Sequence, residues 1–257
     1  SLSNEACSLK PDVPRLTLSA FMDFDHDANF ISGTLQPSVI KSQRRFTYTE
    51  VHGLLEGEGD DPLLQTLTDM YKLSQLLRQK RFDTGSVDFQ VPEPEIHIDA
   101  TGHVERIGIT EHNSAHELIE EFMLAANQFV ALSLHERGIP SIHRIHEAPD
   151  PERLAGFNEY IASFGLKIPS PVRSTDLQTL LIKIRDRPEE RVVNTLLLRT
   201  MKKARYSETD PGHFCLGFPH YAHFTSPIRR YPDLMVHRII KKYLKRKCPQ
   251  KDKKSLY

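Results

Sequence analysis

Apolar residues recur along this chain in two rhythms, and their order sets the expected architecture. Residues 16–48 read as strands. Residues 16–22 (Leu-Thr-Leu-Ser-Ala-Phe-Met) are rich in apolar and β-favouring residues, residues 23–29 form a polar connector, and Phe30-Ile31 resumes the apolar pattern. This predicts a hairpin. Asp23, Asp25 and Asp27 alternate in the connector but lack the glycine and distal Glu of a calcium loop, so the connector reads as a hairpin tip. Residues 46–51 lead into a loop over 53–59. Asp61-Pro62 then opens a helix as cap and first residue. Leu63, Leu64, Leu67, Met70, Tyr71, Leu73, Leu76 and Leu77 form its apolar stripe, and Lys80-Arg81 close it.

Residues 86–89 and 95–99 read as strands around Pro92 and Pro94, with a turn at Thr101-Gly102 and a return strand over 104–109. The strongest helical signal follows. Residues 114–117 (Ser-Ala-His-Glu) spell a capping box. Leu118, Ile119, Phe122, Ala126, Phe129 and Val130 supply the buried stripe, and Gly138 with Pro140 ends it. His112, His116 and Glu120 fall at i, i+4 and i+8, but His112 precedes the expected cap and the His-Glu-x-x-His pattern of zinc proteases is missing. Beyond Pro149-Asp150-Pro151 comes an amphipathic helix (Leu154, Phe157, Tyr160, Ile161, Phe164). A linker spans 169–174, helices 177–184 and 191–204, a polar loop 206–212 and a last helix 236–244. The mixed order of strands and helices predicts an α+β fold.

Composition narrows the function classes. The 257 residues carry 39% hydrophobic and 26% charged residues, enough for a substantial core. The formal net charge is +0, so binding of a polyanion must come from local patches. The strongest is terminal, from Lys241 through Lys254. Cys7, Cys215 and Cys248 are scattered, with no Cys-x-x-Cys pair, so neither a disulfide framework nor a cysteine zinc site is expected. A reducing, cytoplasmic setting fits best. No transmembrane run or signal peptide is visible.

The densest chemistry lies in residues 221–238, Tyr-Ala-His-Phe-Thr-Ser-Pro-Ile-Arg-Arg-Tyr-Pro-Asp-Leu-Met-Val-His-Arg. Arg229 and Arg230 offer planar forks for phosphate oxygens. Tyr221, Phe224 and Tyr231 offer faces on which bases stack, and Thr225 and Ser226 supply hydroxyls. Pro227, with Ser226 as cap, is expected to begin a helix, which would place both arginines near an anion-favouring N-terminus.

This stretch resembles the signature of the ribonuclease II / ribonuclease R (RNB-domain) exoribonucleases. Residues 2–9 (Leu-Ser-Asn-Glu-Ala-Cys-Ser-Leu), residues 115–121 with Ala126-Asn127, and Gly212-His213-Phe214 resemble further family motifs in the same order. The resemblance runs nearly end to end. It implies a mixed-sheet, barrel-like core surrounded by helices, and a piece of a catalytic domain over 1–257 that begins and ends in mid-domain.

The family's activity is processive 3′→5′ hydrolysis of single-stranded RNA to nucleoside 5′-monophosphates, with two Mg²⁺ ions. The family seats Mg²⁺ with an Asp-Pro-x-x-Ala-x-Asp-x-Asp-Asp motif, and no such run occurs in this sequence, so no metal ligand is carried over. Other roles follow by resemblance. Arg229 corresponds to the arginine that stabilises charge on the scissile phosphate. Tyr48 corresponds to the tyrosine meeting the terminal nucleotides, and Phe89 to the aromatic that sandwiches the 3′-terminal bases. Glu120 corresponds to the acceptor of a 2′-hydroxyl, the group that distinguishes RNA from DNA. Arg230, Tyr221 and Ser226 complete the expected RNA-binding set, and RNA-processing proteins are the expected partners. Two alternatives stand beside the enzyme: a catalytically silent RNA-binding scaffold of the same family, and an α+β domain that binds protein.

Overall fold

The computed structural model describes residues 2–87, 94–99, 101–109 and 112–246. After one wide turn at Leu2–Ala6, β1 (Pro14–Phe24) and β2 (Phe30–Lys41) form the expected hairpin. Its tip is an Asp25 turn, in which Oδ1 accepts from the backbone N–H groups of Asp27 and Asn29. Two helices follow, α1 (Tyr48–Leu55) and α2 (Leu64–Asp83), then the hairpin β3 (Pro94–Ile98) and β4 (Val104–Ile109). The long α3 (Ser114–Glu136) leads to β5 (His143–Ile145), a helical group α4 (Pro151–Ala162), α5 (Ser174–Ile184) and α6 (Glu190–Thr200), then β6 (Arg205–Ser207) and α7 (Tyr231–Arg246).

The α+β class holds, but among the described residues no barrel closes. The strands make three separate two-stranded antiparallel sheets. The first sheet buries part of its apolar surface on helices, whereas Ile96, Ile98 and Val104 of the second stay exposed. Leu18, Ala20 and Leu35 of the first hairpin pack against Val130 and Leu134 of α3 and Val236, Ile239 and Ile240 of α7. Gly33 permits this approach, because a Cβ there would stand 2.6 Å from the Phe129 ring.

Several boundaries differ from expectation for local reasons. Residues 48–55, expected as the end of a strand and a loop, are helical. Thr47 and Glu50 form a reciprocal capping box that outweighs the β preference of Phe46, Tyr48 and Val51. α3 is capped by Asn113 rather than Ser114, which leaves the Ser114 hydroxyl to bond His52 Nδ1 at 2.9 Å. α2 starts at Leu64. Asp61 instead closes the preceding turn, accepting from Leu63 N–H while its other oxygen pairs with Arg44. α6 stops at Thr200, and part of the expected polar loop is β6, paired to β5.

α3 is the spine. It contributes Ala115 to a cluster with Val51 and Leu67, Leu124 to one with Phe218 and Tyr221, and Val130 and Leu134 to the core beneath α7. A separate core joins α4, α5 and α6 through Phe157, Ile161, Leu177, Ile184, Val193 and Leu197. α2 is fixed to the spine by a buried ion pair. Arg81 Nε reaches both Glu121 oxygens at 3.2 Å, Nη2 reaches Oε1 at 2.5 Å, and Nη1 donates to Ser86 Oγ at 2.7 Å. Removing one partner strands a buried charge, so Glu121→Ala is expected to lower unfolding free energy by about 3–5 kcal/mol. Arg81→Met with Glu121→Leu should recover most of that loss. Urea denaturation of the parent, Glu121→Ala and the double variant checks both outcomes.

Candidate RNA interface

The loop over 221–230 is clasped from two sides. On the α3 side, Asn127 Nδ2 donates to Tyr221 Oη at 3.1 Å, and Asn127 Oδ1 accepts from Phe224 N–H at 2.8 Å. On the α7 side, Asp233 Oδ1 accepts from Ser226 N–H and from Arg230 Nη2, both at 2.8 Å. His237 Nε2 donates to Phe224 O at 2.8 Å and stacks on the Phe224 ring. That bond fixes the tautomer, and burial holds the imidazole below its ordinary pKa and neutral.

The expected helix at Pro227 is only a turn. Arg229 N–H and Arg230 N–H both point to Ser226 O, and α7 begins at Tyr231. The two arginines therefore differ. Arg230 is half-buried and held by Asp233 and the Thr225 hydroxyl. Arg229 is exposed, and its guanidinium makes no hydrogen bond or ion pair among the described residues. Tyr221 is 4% exposed, so its ring offers no face to a base. Ser226 is half-buried and contributes a backbone donor to Asp233.

Two residues beside the loop, Arg144 and Tyr206, carry no motif in the sequence, and Tyr206 meets His223 within it. Arg144 N–H donates to Tyr221 O at 2.9 Å, and its guanidinium lies 4.8 Å from the centre of the Tyr206 ring. Tyr206 Oη lies 2.8 Å from His223 Nδ1. Burial, then the positive fields of Arg230, Arg144 and Arg229, pushes His223 down to about 4. Three arginines thus act on one neutral imidazole, with Asp233 as the opposing carboxylate. Arg230 is already paired with Asp233, so the excess positive field there comes from Arg144 and Arg229, and it favours an anion nearby.

A second group lies at the N-terminal end of α3. The Tyr48 ring, 46% exposed, stacks on His116 with centroids 3.9 Å apart and planes 19° from parallel. His112 Nε2 lies 3.5 Å from Glu120 Oε2, and Arg81 Nη2 lies 4.0 Å from Glu120 Oε1. A cavity of about 460 Å³, lined by Phe46, Tyr48, Met70 and Ile119, opens beside the stack. His116, Glu120 and Asn127 fall on one stripe of α3, spanning about 16 Å along its axis at 1.5 Å per residue. Phe89 lies outside the described residues.

The RNB domain model matches residues 1–246. The chain belongs to the RNB-domain family. It is 41% identical over 254 residues to ribonuclease R of Aquifex aeolicus, covering 95% of this chain and 36% of that protein. Against ribonuclease R of Escherichia coli K12 it is 38% identical over 247 residues, covering 93% and 30%. The chain thus spans about a third of the length of these relatives. Among solved structures, Mycoplasma genitalium RNase R in complex with ribose-methylated single-stranded RNA superposes with a TM-score of 0.91 at 32% identity, covering 95% of this chain and 39% of that one. The pseudonuclease Ssd1 of yeast shares the fold, with a TM-score of 0.74 at 22% identity.

The RNB segment present here does not fit an Mg²⁺ pair. Hard divalent cations want convergent carboxylates, and among the described residues no cluster built of carboxylates alone occurs. Asp233, beside the arginines, has no exposed surface and is engaged with Ser226 and Arg230.

His213 shares the environment of the loop. Burial, then the neighbouring His146, pushes it down to about 3. The unfolded chain takes up protons on both His213 and His223 as pH falls through their ordinary value of 6.5, while the folded chain does not. Stability from these groups is therefore complete above about 6.5, declines on acidification, and is gone below about 3. Urea midpoints measured from pH 7 to pH 4 should fall, and His223→Asn should flatten the slope.

Proposed function

We propose that this chain is the RNA-gripping part of an exoribonuclease that degrades single-stranded RNA from its 3′ end to nucleoside 5′-monophosphates. One observation carries the reading: a doubly clasped loop presents Arg229 free, with Arg144 and Arg230 near it, around a histidine that stays neutral. The names borne by the relatives, ribonuclease R, agree with it.

In this reading Arg229 takes the phosphate at the scissile position, and its planar fork follows charge as it develops on the non-bridging oxygens. Arg144 adds positive field. Tyr48, already stacked on His116, extends that stack to a base, a contact worth about 1–3 kcal/mol per base for any sequence. Glu120 accepts from a 2′-hydroxyl, and Phe89 holds the 3′-terminal base. Arg230, Tyr221 and Ser226 build the loop rather than touch RNA. Mg²⁺ would supply the charge neutralisation of such reactions, and the residues of this loop do not offer it ligands. The scattered cysteines suit a reducing compartment, which we take to be the cytoplasm.

A second reading is a catalytically silent RNA-binding protein of the same family. The two are separated by assaying the longer protein with Mg²⁺ on 3′-labelled RNA. Stepwise release of mononucleotides supports the enzyme, and binding without release supports the silent protein. This chain alone should bind single-stranded RNA with salt-sensitive affinity and show no Mg²⁺-dependent cleavage. In an active longer protein, Arg229→Lys should lower single-turnover rate by about a hundredfold, about 3 kcal/mol, with a much smaller loss of affinity. Equal losses would make Arg229 a ground-state contact only. Arg230→Lys should act chiefly on stability.

A further inference from the structure

Four side chains from four segments meet next to the arginine loop. His135 stands in the last turn of α3, His143 opens β5, Asp210 follows β6, and His220 immediately precedes Tyr221. His220 Nδ1 lies 2.6 Å from Asp210 Oδ2, and His143 Nδ1 lies 3.2 Å from the same oxygen. His135 lays its ring on His220, with centroids 3.7 Å apart and planes 24° from parallel. One ligand atom each from His135, Asp210 and His220 lies within 4.8 Å of the others, the only such triad among the described residues.

Asp210 is the telling member. Its side chain is 12% exposed, and Oδ1 is buried with no hydrogen-bond partner. His143, 8% exposed on its side chain, points Nδ1 at Asp210 but is misaligned for a hydrogen bond. Buried polar atoms left this way lose hydration without compensation, and a cation among them supplies the missing partner. Two imidazole nitrogens and a carboxylate oxygen are the donor set of a zinc-like ion, whereas Mg²⁺ takes oxygen and water.

We propose that His135, Asp210 and His220 bind one divalent transition-metal ion of the zinc class, with His143 as a positioning residue on Asp210. Ligand atoms about 2 Å from a tetrahedral ion stand about 3.3 Å apart. The exposed His135 can close its gap by side-chain rotation, and the ion displaces the proton now joining His220 to Asp210, whose 2.6 Å contact widens to admit it. Water takes the fourth position on the side of His135. The ion ties the end of α3 and the loop after β6 to the residue that enters the arginine loop, so it acts as a staple for that loop.

The test uses the full chain, stripped with a chelator and titrated with Co²⁺ or Zn²⁺. One equivalent of Co²⁺ should bind with tetrahedral d–d absorption. Zn²⁺ should raise the melting midpoint reversibly, and Mg²⁺ should not. His135→Ala, at an exposed position where folding is safe, should weaken Co²⁺ by a hundredfold or more, and His143→Phe by about tenfold. His26→Ala, at the hairpin tip, should change nothing. Absence of stoichiometric binding, His135→Ala or His220→Gln binding Co²⁺ like the parent, or a Mg²⁺ shift equal to that of Zn²⁺ would each overturn the proposal.

Discussion

A carboxylate without exposed surface loses its hydration entirely and must recover that loss from fixed partners. Asp233 recovers part of it from Ser226 N–H and the Arg230 guanidinium, which meet on Oδ1, while Oδ2 is buried with no hydrogen-bond partner. That demand shapes the loop. Holding Ser226 and Arg230 against the first turn of α7 forces the intervening residues into a tight turn. The turn then has no interior left for Arg229, which stays outside. The same carboxylate at the helix N-terminus also suits the local dipole. Asn127 supplies the opposing constraint from α3, so the loop is positioned by the molecule's longest helix as well as by its own.

Two adjacent arginines end with opposite duties for a reason partly legible in the sequence. Arg230 and Asp233 are three residues apart, the spacing at which side chains meet on a helical turn. Arg229 has Pro232 at that spacing. The pairing was within reach of sequence reasoning, but it was hidden by the expectation that the helix starts at Pro227. Tyr221 could not be read this way. An aromatic among polar residues is equally suited to a stacking platform or to a core, and only the place of Asn127 on α3 decides for the core. Arg144 and Tyr206 meet through β5–β6 pairing, a contact between segments about sixty residues apart with no periodic signal, and Tyr206 in turn reaches His223 from its side chain.

The elements that were legible share a cause. α3 carries a long apolar stripe, a cap within one residue of that expected, and Gly138 to end it, so pattern and local chemistry agree. The first hairpin likewise combines β-favouring runs with an Asp-rich tip that folds on its own side chains. α1 was missed because two signals conflict: Thr47 and Glu50 specify a helix start, while Phe46, Tyr48 and Val51 favour a strand. The cap wins because it satisfies amide groups that a short isolated strand would leave to water.

Zero net charge is compatible with a grip on RNA because the relevant charges are local. At physiological salt, fields from exposed charges fade within about 8 Å, so acidic residues elsewhere do not cancel a compact group of arginines. Arg144, Arg229 and Arg230 all act on His223, and Arg230 is itself paired with the buried Asp233. A strongly basic surface would hold RNA everywhere and resist its movement. In the proposed function, positive charge gathered at the loop and at Arg144 on β5 would hold phosphate, while the aromatic stack at the other end of the α3 stripe would give base contacts that do not depend on sequence. That division is what a protein needs if it must hold one phosphate firmly while the rest of the strand slides past.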